Sequence, residues 1–452
     1  MSIASPRHCS AGIAFLALTH AFAHAADTLV IIAPRDFHDA LAPFVTHKKP
    51  ILDTELVALE DVLEHWGGVD DPERIKHFLY DRWKAGRARY ALLVGDVDRL
   101  PVRYMVLDRN TEAAFNYAFY PSDLYYADLS DRAGAFEDWN AESTGFHASY
   151  FGEVRGEHNK QDPINFDQVD YRPEIGVGRW PVSTPEQLTI VVDKTIAYET
   201  SLATRDSPPV AGLVASGGWI ENRPASDELA SALDAWTVRK CYFADDKRDD
   251  ETPQPNEASV LDLMNEGVDL LLHSGHGTDD SWHGAISVRT IEHMHNADRL
   301  PIVFSAGCST ARFASCPPYE AYTDVDGADH TGTNDGEVFT GPPPAPAPYQ
   351  RGPHNLSGLG EQLLRSGPNG AVAYIGCNTG SQPCGMTLLA GFVDGVHPGA
   401  RLGDCWMDAI DHYYKAEHLA TIEPNESWYP ASIFFQGMKF MLFGDPSLPM
   451  PR

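Results

Sequence analysis

A histidine and a cysteine each follow a short apolar run, and each lies in a turn that contains glycine. His276 lies in the sequence SGHG at 274–277, and Cys308 lies in SAGC at 305–308. A thiol is a good nucleophile once it is deprotonated, and a neighbouring imidazole can take its proton. The pattern predicts nucleophilic catalysis by Cys308 with His276 as the base. The alternative is a buried free cysteine beside an unrelated, solvated turn histidine.

The apolar runs before these turns have the length and composition of buried strands. In an open α/β sheet, sites form outside the carboxyl ends of the strands. Two neighbouring parallel strands would therefore bring His276 and Cys308 to the same edge of the sheet. The backbone N–H groups of Gly277 and Cys308 are then candidates for stabilising a developing oxyanion.

The rest of the chain supplies the elements that would position these turns. Apolar runs alternate with segments of helical spacing, which predicts a mostly parallel sheet flanked by helices, an α/β fold in two similar halves. The predicted strands lie at 27–33, 90–94, 174–182, 210–216, 268–277, 300–310, 370–377 and 438–448. The predicted helices lie at 56–66, 72–85, 184–200, 226–236 and 258–265.

Composition excludes several classes of function. The chain has 452 residues, with 64 acidic residues against 34 Lys and Arg, and a formal charge of −30. Nucleic-acid binding needs clustered basic residues, so we expect no nucleic-acid partner. No apolar run is long enough to span a bilayer, so we expect no membrane span. The sequence also lacks a phosphate-binding loop of the GxxxxGK[ST] type.

The first 26 residues have the three parts of a secretory signal peptide. Arg7 comes first, an apolar stretch follows at 11–23, and AHA at 23–25 precedes the expected cleavage site. We therefore expect export, either to the periplasm or out of the cell. The mature chain would comprise a noncatalytic α/β subdomain, 27–199, and a catalytic subdomain, 200–452. A long loop insertion at 317–354 interrupts the latter.

The two turns resemble those of caspase-like cysteine peptidases, and most closely those of the gingipain family. His-Gly after one apolar run and Ala-x-Cys after a second form the shared pattern. Three further stretches resemble gingipains: SDLYYADL at 122–129, EIGVGRWPVSTPEQL at 174–188 and LFGDPSLP at 442–449. The resemblance extends over roughly residues 90 to 450 and implies a caspase-like sandwich with two related subdomains.

The resemblance implies a role for each site residue. Cys308 would be the nucleophile and His276 the general base and acid, with oxyanion contacts from Gly277 and Cys308. Gingipains also place an acid beside the histidine; here the matching position in ASGGW at 215–219 has none, and Glu221 is a substitute. Asp227 would form the base of a pocket for Arg or Lys, unless it only caps the following helix.

The expected activity is endopeptidase cleavage of protein or peptide substrates through a thioester, with no cofactor required for the chemistry. Two alternatives stay open: an acyl-transfer enzyme or transpeptidase of the same fold, and a noncatalytic exported binding protein. The oligomeric state is not predicted.

Metal sites and disulfides are further possibilities. His273, His276, His283 and Cys308 would be the ligands of a zinc site. The resemblance implies a structural calcium ion whose ligands are unknown. The acidic segments 324–327 and 334–337 are candidates, although the first departs from the EF-hand pattern. Bridges between Cys377 and Cys384, or from Cys316 to Cys405 or Cys384, are also conceivable.

Overall fold

The computed structural model describes most of the chain after the predicted signal peptide. The described residues are 28–106, 119–139, 164–165, 168–220, 222–243, 252–317, 320–323, 327–332, 346–350, 356–425 and 429–452. The predicted signal peptide, Glu221, most of the insertion and most of the two acidic segments lie outside them. In the described residues, no helix is long and apolar enough to cross a membrane.

Strands and helices alternate along the described chain, as the apolar pattern predicts. The strands are β1 Thr28–Ala33, β2 Asp53–Ala58, β3 Tyr90–Val94, β4 Tyr104–Val106, β5 Phe119–Pro121, β6 Gly176–Trp180, β7 Val210–Ala215, β8 Thr237–Tyr242, β9 Leu270–Ser274, β10 Ile302–Ser305, β11 Tyr322–Thr323, β12 Asp329–His330, β13 Ala373–Cys377 and β14 Phe440–Phe443. The helices are α1 His38–Lys48, α2 Leu59–His65, α3 Asp71–Lys84, α4 Leu124–Ala127, α5 Pro185–Thr204, α6 Arg223–Ala232, α7 Glu257–Asn265, α8 Leu359–Arg365, α9 Gly385–Asp394, α10 Leu402–Ala416 and α11 Tyr429–Phe434.

Ten of the described strands form one sheet in the order β2-β1-β3-β6-β14-β13-β10-β9-β7-β8. The first five are parallel to one another, and so are the last five. The two sets meet where β13 pairs with β14 in antiparallel register. The sheet therefore consists of two parallel halves that point in opposite directions, and their carboxyl ends lie at opposite edges.

Helices cover both faces of this sheet and bury its side chains. One hydrophobic cluster packs α2, α3, α6, α9 and α10 against the first face. A second cluster packs α1, α5, α7 and α8 against the other face. This three-layer arrangement is the predicted α/β class with a mostly parallel sheet. Helix α5 crosses residue 199, where the sequence divided the chain into two subdomains.

One predicted helix is wrong in its first three residues. The spacing of Leu56, Leu59, Leu63 and Trp66 predicts a single helix over 56–66, but the chain is in β2 until Ala58 and helical only over Leu59–His65. Leu56 pairs with Ile31 of β1 in parallel register. The apolar Leu56 thus fits the spacing of a helix and also fits a buried strand. Its pairing with β1 selects the strand.

Two of the stretches that resemble gingipains bind each other in the half of the sheet that contains β6. Arg179 of β6 is fully buried and makes a bidentate ion pair with Asp123, with both N···O distances 2.7 Å. Its remaining N–H groups donate to the carbonyl oxygens of Gly95, Leu100 and Pro101. Every donor of the guanidinium is used, so this ion pair fixes the loops that follow β3 and β5.

We predict that Arg179→Met destabilises the fold by about 3–5 kcal/mol, because Asp123 is left buried without its partner. Arg179→Lys should also destabilise, since an ammonium cannot reproduce the planar fork. Urea unfolding measures both. The exposed pair of Arg35 with Asp61 is the control, and Arg35→Met should change stability little. An Arg179→Met chain as stable as the wild type would contradict the prediction.

Candidate active site

The turns that carry His276 and Cys308 are neighbours because β9 and β10 are adjacent and parallel. His273 of β9 lies opposite Ser305 of β10, and the N–H of Ala306 donates to the carbonyl oxygen of His273 at 2.9 Å. Both strands end at the same edge, as the sequence predicts. The chain beyond each end forms the turn that carries the reactive side chain.

Glycines allow the two turns to pack backbone against backbone. A Cβ atom on Gly277 would lie 2.4 Å from Cγ2 of Thr310 and 2.7 Å from the carbonyl oxygen of Cys308, so no side chain fits there. The same Cβ position is 3.4 Å from the Cys308 nitrogen, so the backbone of Gly277 lies against that of Cys308. Gly275 has φ +155°, a conformation that other residues rarely adopt.

Cys308 differs from the other described cysteines in its exposure. Its side chain is partly exposed, whereas the other five described cysteines are buried. All six are free thiols, so the described residues form none of the bridges considered from the sequence. Burial raises the pKa of Cys377 to about 12 and that of Cys384 to about 11, which keeps both thiols protonated. Access therefore favours Cys308 as the reactive thiol.

His276 is oriented by a backbone carbonyl. Its Nε2 lies 2.8 Å from the carbonyl oxygen of Gly218, in the turn after β7. A carbonyl oxygen only accepts, so we assign the proton to Nε2, which leaves Nδ1 as the basic nitrogen. Glu221, the predicted acid, lies outside the described residues. The described structure thus offers the Gly218 oxygen as the group that fixes the imidazole.

Asn222 stabilises this turn and was missed from the sequence. Its side-chain N–H groups donate to the carbonyl oxygens of Ser216 and Ser274 and to the Ser274 hydroxyl, at 2.9–3.1 Å. Asn222 therefore ties the end of β7 to the end of β9, and so the Gly218 carbonyl to the His276 turn. An asparagine beside a glycine turn was its only signal in the sequence.

The first of the predicted zinc ligands, His273, is engaged in other contacts. His273 is fully buried, stacks on Trp282 at 4.2 Å and bonds through Nδ1 to the Ser305 hydroxyl at 2.9 Å. Burial lowers its pKa to about 3, so the ring is neutral. His283 is exposed, with its ring 6.3 Å from that of His276. Within the described part of the chain, these side chains do not converge as metal ligands.

Asp227 lies inside α6, so the capping alternative fails; the residue preceding the helix is Asn222. Its carboxylate is about half exposed and accepts from Lys240 Nζ of β8 at 2.6 Å. The predicted pocket acid therefore has a cation of the chain itself as its partner. A substrate guanidinium or ammonium would compete with that partner.

Three carboxylates between residues 128 and 170 form a second candidate site. Oxygen atoms of Asp128, Glu137 and Asp170 lie within 4.8 Å of one another. Asp128 is fully buried; its Oδ2 accepts from Trp139 Nε1 at 2.6 Å, and its Oδ1 has no hydrogen-bond partner within the described structure. Burial raises the pKa of Asp128 well above the usual range; the charge of Lys76 opposes this shift, and the carboxylates of Glu174, Asp170 and Glu137 add to it. The group lies outside the acidic segments singled out in the sequence.

Residues near the end of the insertion contact the loop after β3. The N–H of Gln350 donates to Val97 O, and the N–H of Val102 donates to Pro348 O. The Gln350 side chain also bonds Ser315, in the segment that follows Cys308. This part of the insertion therefore links the segment after Cys308 to the loop after β3.

Comparison with known proteins identifies the family. The family model of peptidase family C25 matches residues 23–451. Gingipain R2 of Porphyromonas gingivalis is 25% identical over 174 residues, 34% of this chain and 22% of that protein. A Lys-gingipain of the same species is 24% identical over 147 residues, 32% of this chain and 8% of that protein. The matched stretches thus span less than a quarter of these relatives.

Solved structures share the fold. The crystal structure of the Arg-specific cysteine proteinase gingipain R has a TM-score of 0.59 at 16% identity, covering 94% of this chain and 78% of that one. The complex of the RgpB pro- and mature domains also gives 0.59, at 17% identity and with 94% and 79% coverage. With a match over nearly its whole length, the chain belongs to peptidase family C25.

Proposed function

We propose that this chain is an exported cysteine endopeptidase in which Cys308 is the nucleophile and His276 the general base and acid. The observation that carries the proposal is the meeting of one accessible thiol and one histidine turn at the same edge of the sheet. Membership of peptidase family C25 supports the reaction class. The signal-peptide pattern of residues 1–26 supports export.

The reaction follows from the assigned tautomer. His276 Nδ1 takes the proton of Cys308 Sγ, and the thiolate attacks the peptide carbonyl carbon. The N–H groups of Gly277 and Cys308 stabilise the resulting oxyanion. Collapse expels the amine, which His276 protonates, and leaves a thioester. Water, deprotonated by His276, then hydrolyses the thioester to a carboxylate and restores the thiol.

Gly218 has the same partner throughout this cycle. Its carbonyl oxygen accepts the hydrogen bond of His276 Nε2–H, and it stabilises the imidazolium that forms when Nδ1 is also protonated. This is the role that the sequence assigned to Glu221. We therefore propose a Cys/His dyad in which a backbone carbonyl accepts the hydrogen bond of Nε2–H. A neutral oxygen of this kind stabilises imidazolium less than a carboxylate does.

We propose a preference for Arg or Lys before the scissile bond, with Asp227 as the recognising acid. The support is the half-exposed carboxylate on α6, in the helix that follows the Gly218 turn, and the resemblance to gingipains. In the free protein, the Lys240 ammonium forms an ion pair with this carboxylate. Substrate binding would therefore exchange one cation for another.

We further propose that Asp128, Glu137 and Asp170 hold a structural calcium ion. Calcium takes carboxylate oxygens, and the unpartnered Asp128 Oδ1 in a buried position fits such an ion. The ion would neutralise three carboxylates that otherwise repel one another. It would stabilise the noncatalytic half and take no part in peptide hydrolysis.

The first prediction from this proposed function concerns the nucleophile and base. Cys308→Ala should abolish peptide cleavage, and His276→Ala should lower kcat/KM by about 100- to 10,000-fold, the usual contribution of general acid–base catalysis. The assay is cleavage of a peptide library by the mature chain. Cys405→Ala, a buried thiol on α10, is the matched control and should retain activity. Cleavage by Cys308→Ala at the wild-type rate would refute the proposal.

Products distinguish hydrolysis from acyl transfer. With an amine nucleophile added, a transpeptidase gives mainly the new amide, whereas the proposed peptidase gives mainly the free carboxylate. Mass spectrometry of the products separates the two.

The second prediction concerns substrate preference. Asp227→Asn should lower kcat/KM about 10- to 100-fold for Arg and Lys substrates, the range of a charge-assisted hydrogen bond, and leave neutral ones unchanged. Lys240→Met should favour Arg and Lys substrates further, because it removes the competing cation. Asp234→Asn, an exposed acid just beyond α6, is the control. An equal loss for charged and neutral substrates would exclude Asp227 as the pocket acid.

The third prediction concerns calcium. The wild-type chain should gain about 2.7 kcal/mol of stability at a calcium concentration 100 times Kd. Asp128→Asn should lose this gain, whereas Asp53→Asn, an exposed acid of β2, should keep it. Because the pKa of Asp128 is raised, the gain should grow as the pH increases and the carboxyl deprotonates. Thermal unfolding with calcium or a chelator provides the measurement; identical curves for the wild type would contradict the site.

A further inference from the structure

The loop after β13 contacts the sulfur of the nucleophile. The Ser381 N–H donates to Cys308 Sγ at 3.3 Å, and the thiol donates to the Ser381 carbonyl oxygen at 3.6 Å. A thiolate has no proton to donate, so deprotonation abolishes the second bond and strengthens the first. The strength of the N–H donor therefore affects how readily the sulfur becomes charged.

A buried cation lies at the other end of the same peptide group. The Gly380 carbonyl and the Ser381 N–H belong to one peptide unit. Lys439 Nζ donates to that carbonyl oxygen at 3.3 Å, and the Lys439 residue is only 2% exposed. Hydrogen bonds in series polarise one another, so an ammonium on the carbonyl makes the N–H a stronger donor.

The antiparallel junction of the sheet explains why Lys439 is at this position. Lys439 precedes β14, which runs antiparallel to β13, so it meets the residues that follow β13. The Asn378 N–H donates to the Lys439 carbonyl at 2.8 Å. The buried Gln436 side chain donates to the Ser381 hydroxyl at 3.0 Å and holds the loop from the same side.

We propose that Lys439 is a positioning residue that stabilises the Cys308 thiolate through the Gly380–Ser381 peptide group. The series of contacts is Lys439 Nζ–H to Gly380 O, then Ser381 N–H to Cys308 Sγ. The catalytic role of Cys308 rests on the proposed function, whereas the effect on the thiolate does not.

The other titratable groups near the sulfur do not replace this cation. His276, on the turn after β9, is the base whose charge changes during the reaction. Cys377, at the end of β13, is neutral because burial raises its pKa to about 12. Arg312, beyond Cys308, already forms an ion pair with Glu320. Lys439 is thus the cation that donates to the Gly380 carbonyl, in the same peptide group whose N–H donates to Cys308 Sγ.

The test measures thiol reactivity directly. Iodoacetamide alkylation of Cys308, followed by peptide mass spectrometry, reports the thiolate without any peptidase assay. Lys439→Met should slow alkylation at pH 7 about tenfold, equivalent to about 1.4 kcal/mol, and move the rate-versus-pH curve to higher pH. Lys439→Arg should restore most of the rate. Lys415→Met, which removes an exposed lysine of α10, should have the wild-type rate.

A folded Lys439→Met chain that alkylates at the wild-type rate would overturn the proposal. Should that variant not fold, Lys439→Gln decides: it keeps a donor without the charge and should also alkylate more slowly than the wild type at pH 7, and a wild-type rate overturns the inference. Slower alkylation of a Lys439 variant, in a protein whose wild-type chain cleaves no peptide, would refute the peptidase and leave the role of Lys439 standing.

Discussion

The antiparallel pairing of β13 with β14 is the constraint on which the rest of this structure depends. It joins two parallel half-sheets that point in opposite directions into one continuous sheet. Because reactive loops gather at the carboxyl ends of parallel strands, the two halves present their loops at opposite edges. The edge that carries His276 and Cys308 is therefore built from β7, β9, β10 and β13, with β14 beginning there rather than ending.

Buried ion pairs occur in both halves of the sheet. In the half that contains β6, Arg179 and Asp123 satisfy one another and hold loops in place. In the other half, the fully buried Asp269 pairs with Arg205 and Arg299 just before β9. At the edge that carries Cys308 and His276, the residues that contact these two side chains use backbone atoms, and side chains such as Asn222 and Gln436 hold those backbone segments.

The sequence predicts the strands beneath the candidate site because apolar strand runs and glycine turns are local signals. β9, β10 and the parallel sheet follow from them directly, and so does the placement of the His276 and Cys308 turns at one edge. Local spacing fails where pairing decides: the run from Leu56 to Trp66 fits a helix, yet its first residues form β2 beside β1. Propensity alone contains no information about that neighbour.

The contacts of distant residues were also beyond prediction. The partnership of Asp227 with Lys240 depends on α6 packing beside β8, and the contact of Lys439 with Gly380 depends on the reversed direction of β14. Glu221, the substitute that the sequence suggests for the missing acid near residue 217, lies outside the described residues. The contact of His276 with the Gly218 carbonyl oxygen has no signal in the sequence, because every residue has a carbonyl group.

The groups that orient His276 and bond Cys308 are the Gly218 oxygen and the Ser381 amide, both main-chain atoms. A codon change replaces a side chain but leaves these atoms in the polymer, provided that the chain keeps its path. What must be preserved at these two positions is therefore the course of the backbone rather than the identity of a side chain. That course depends on residues elsewhere in the loops, because the side chains of Asn222 and Gln436 hold the two segments in place.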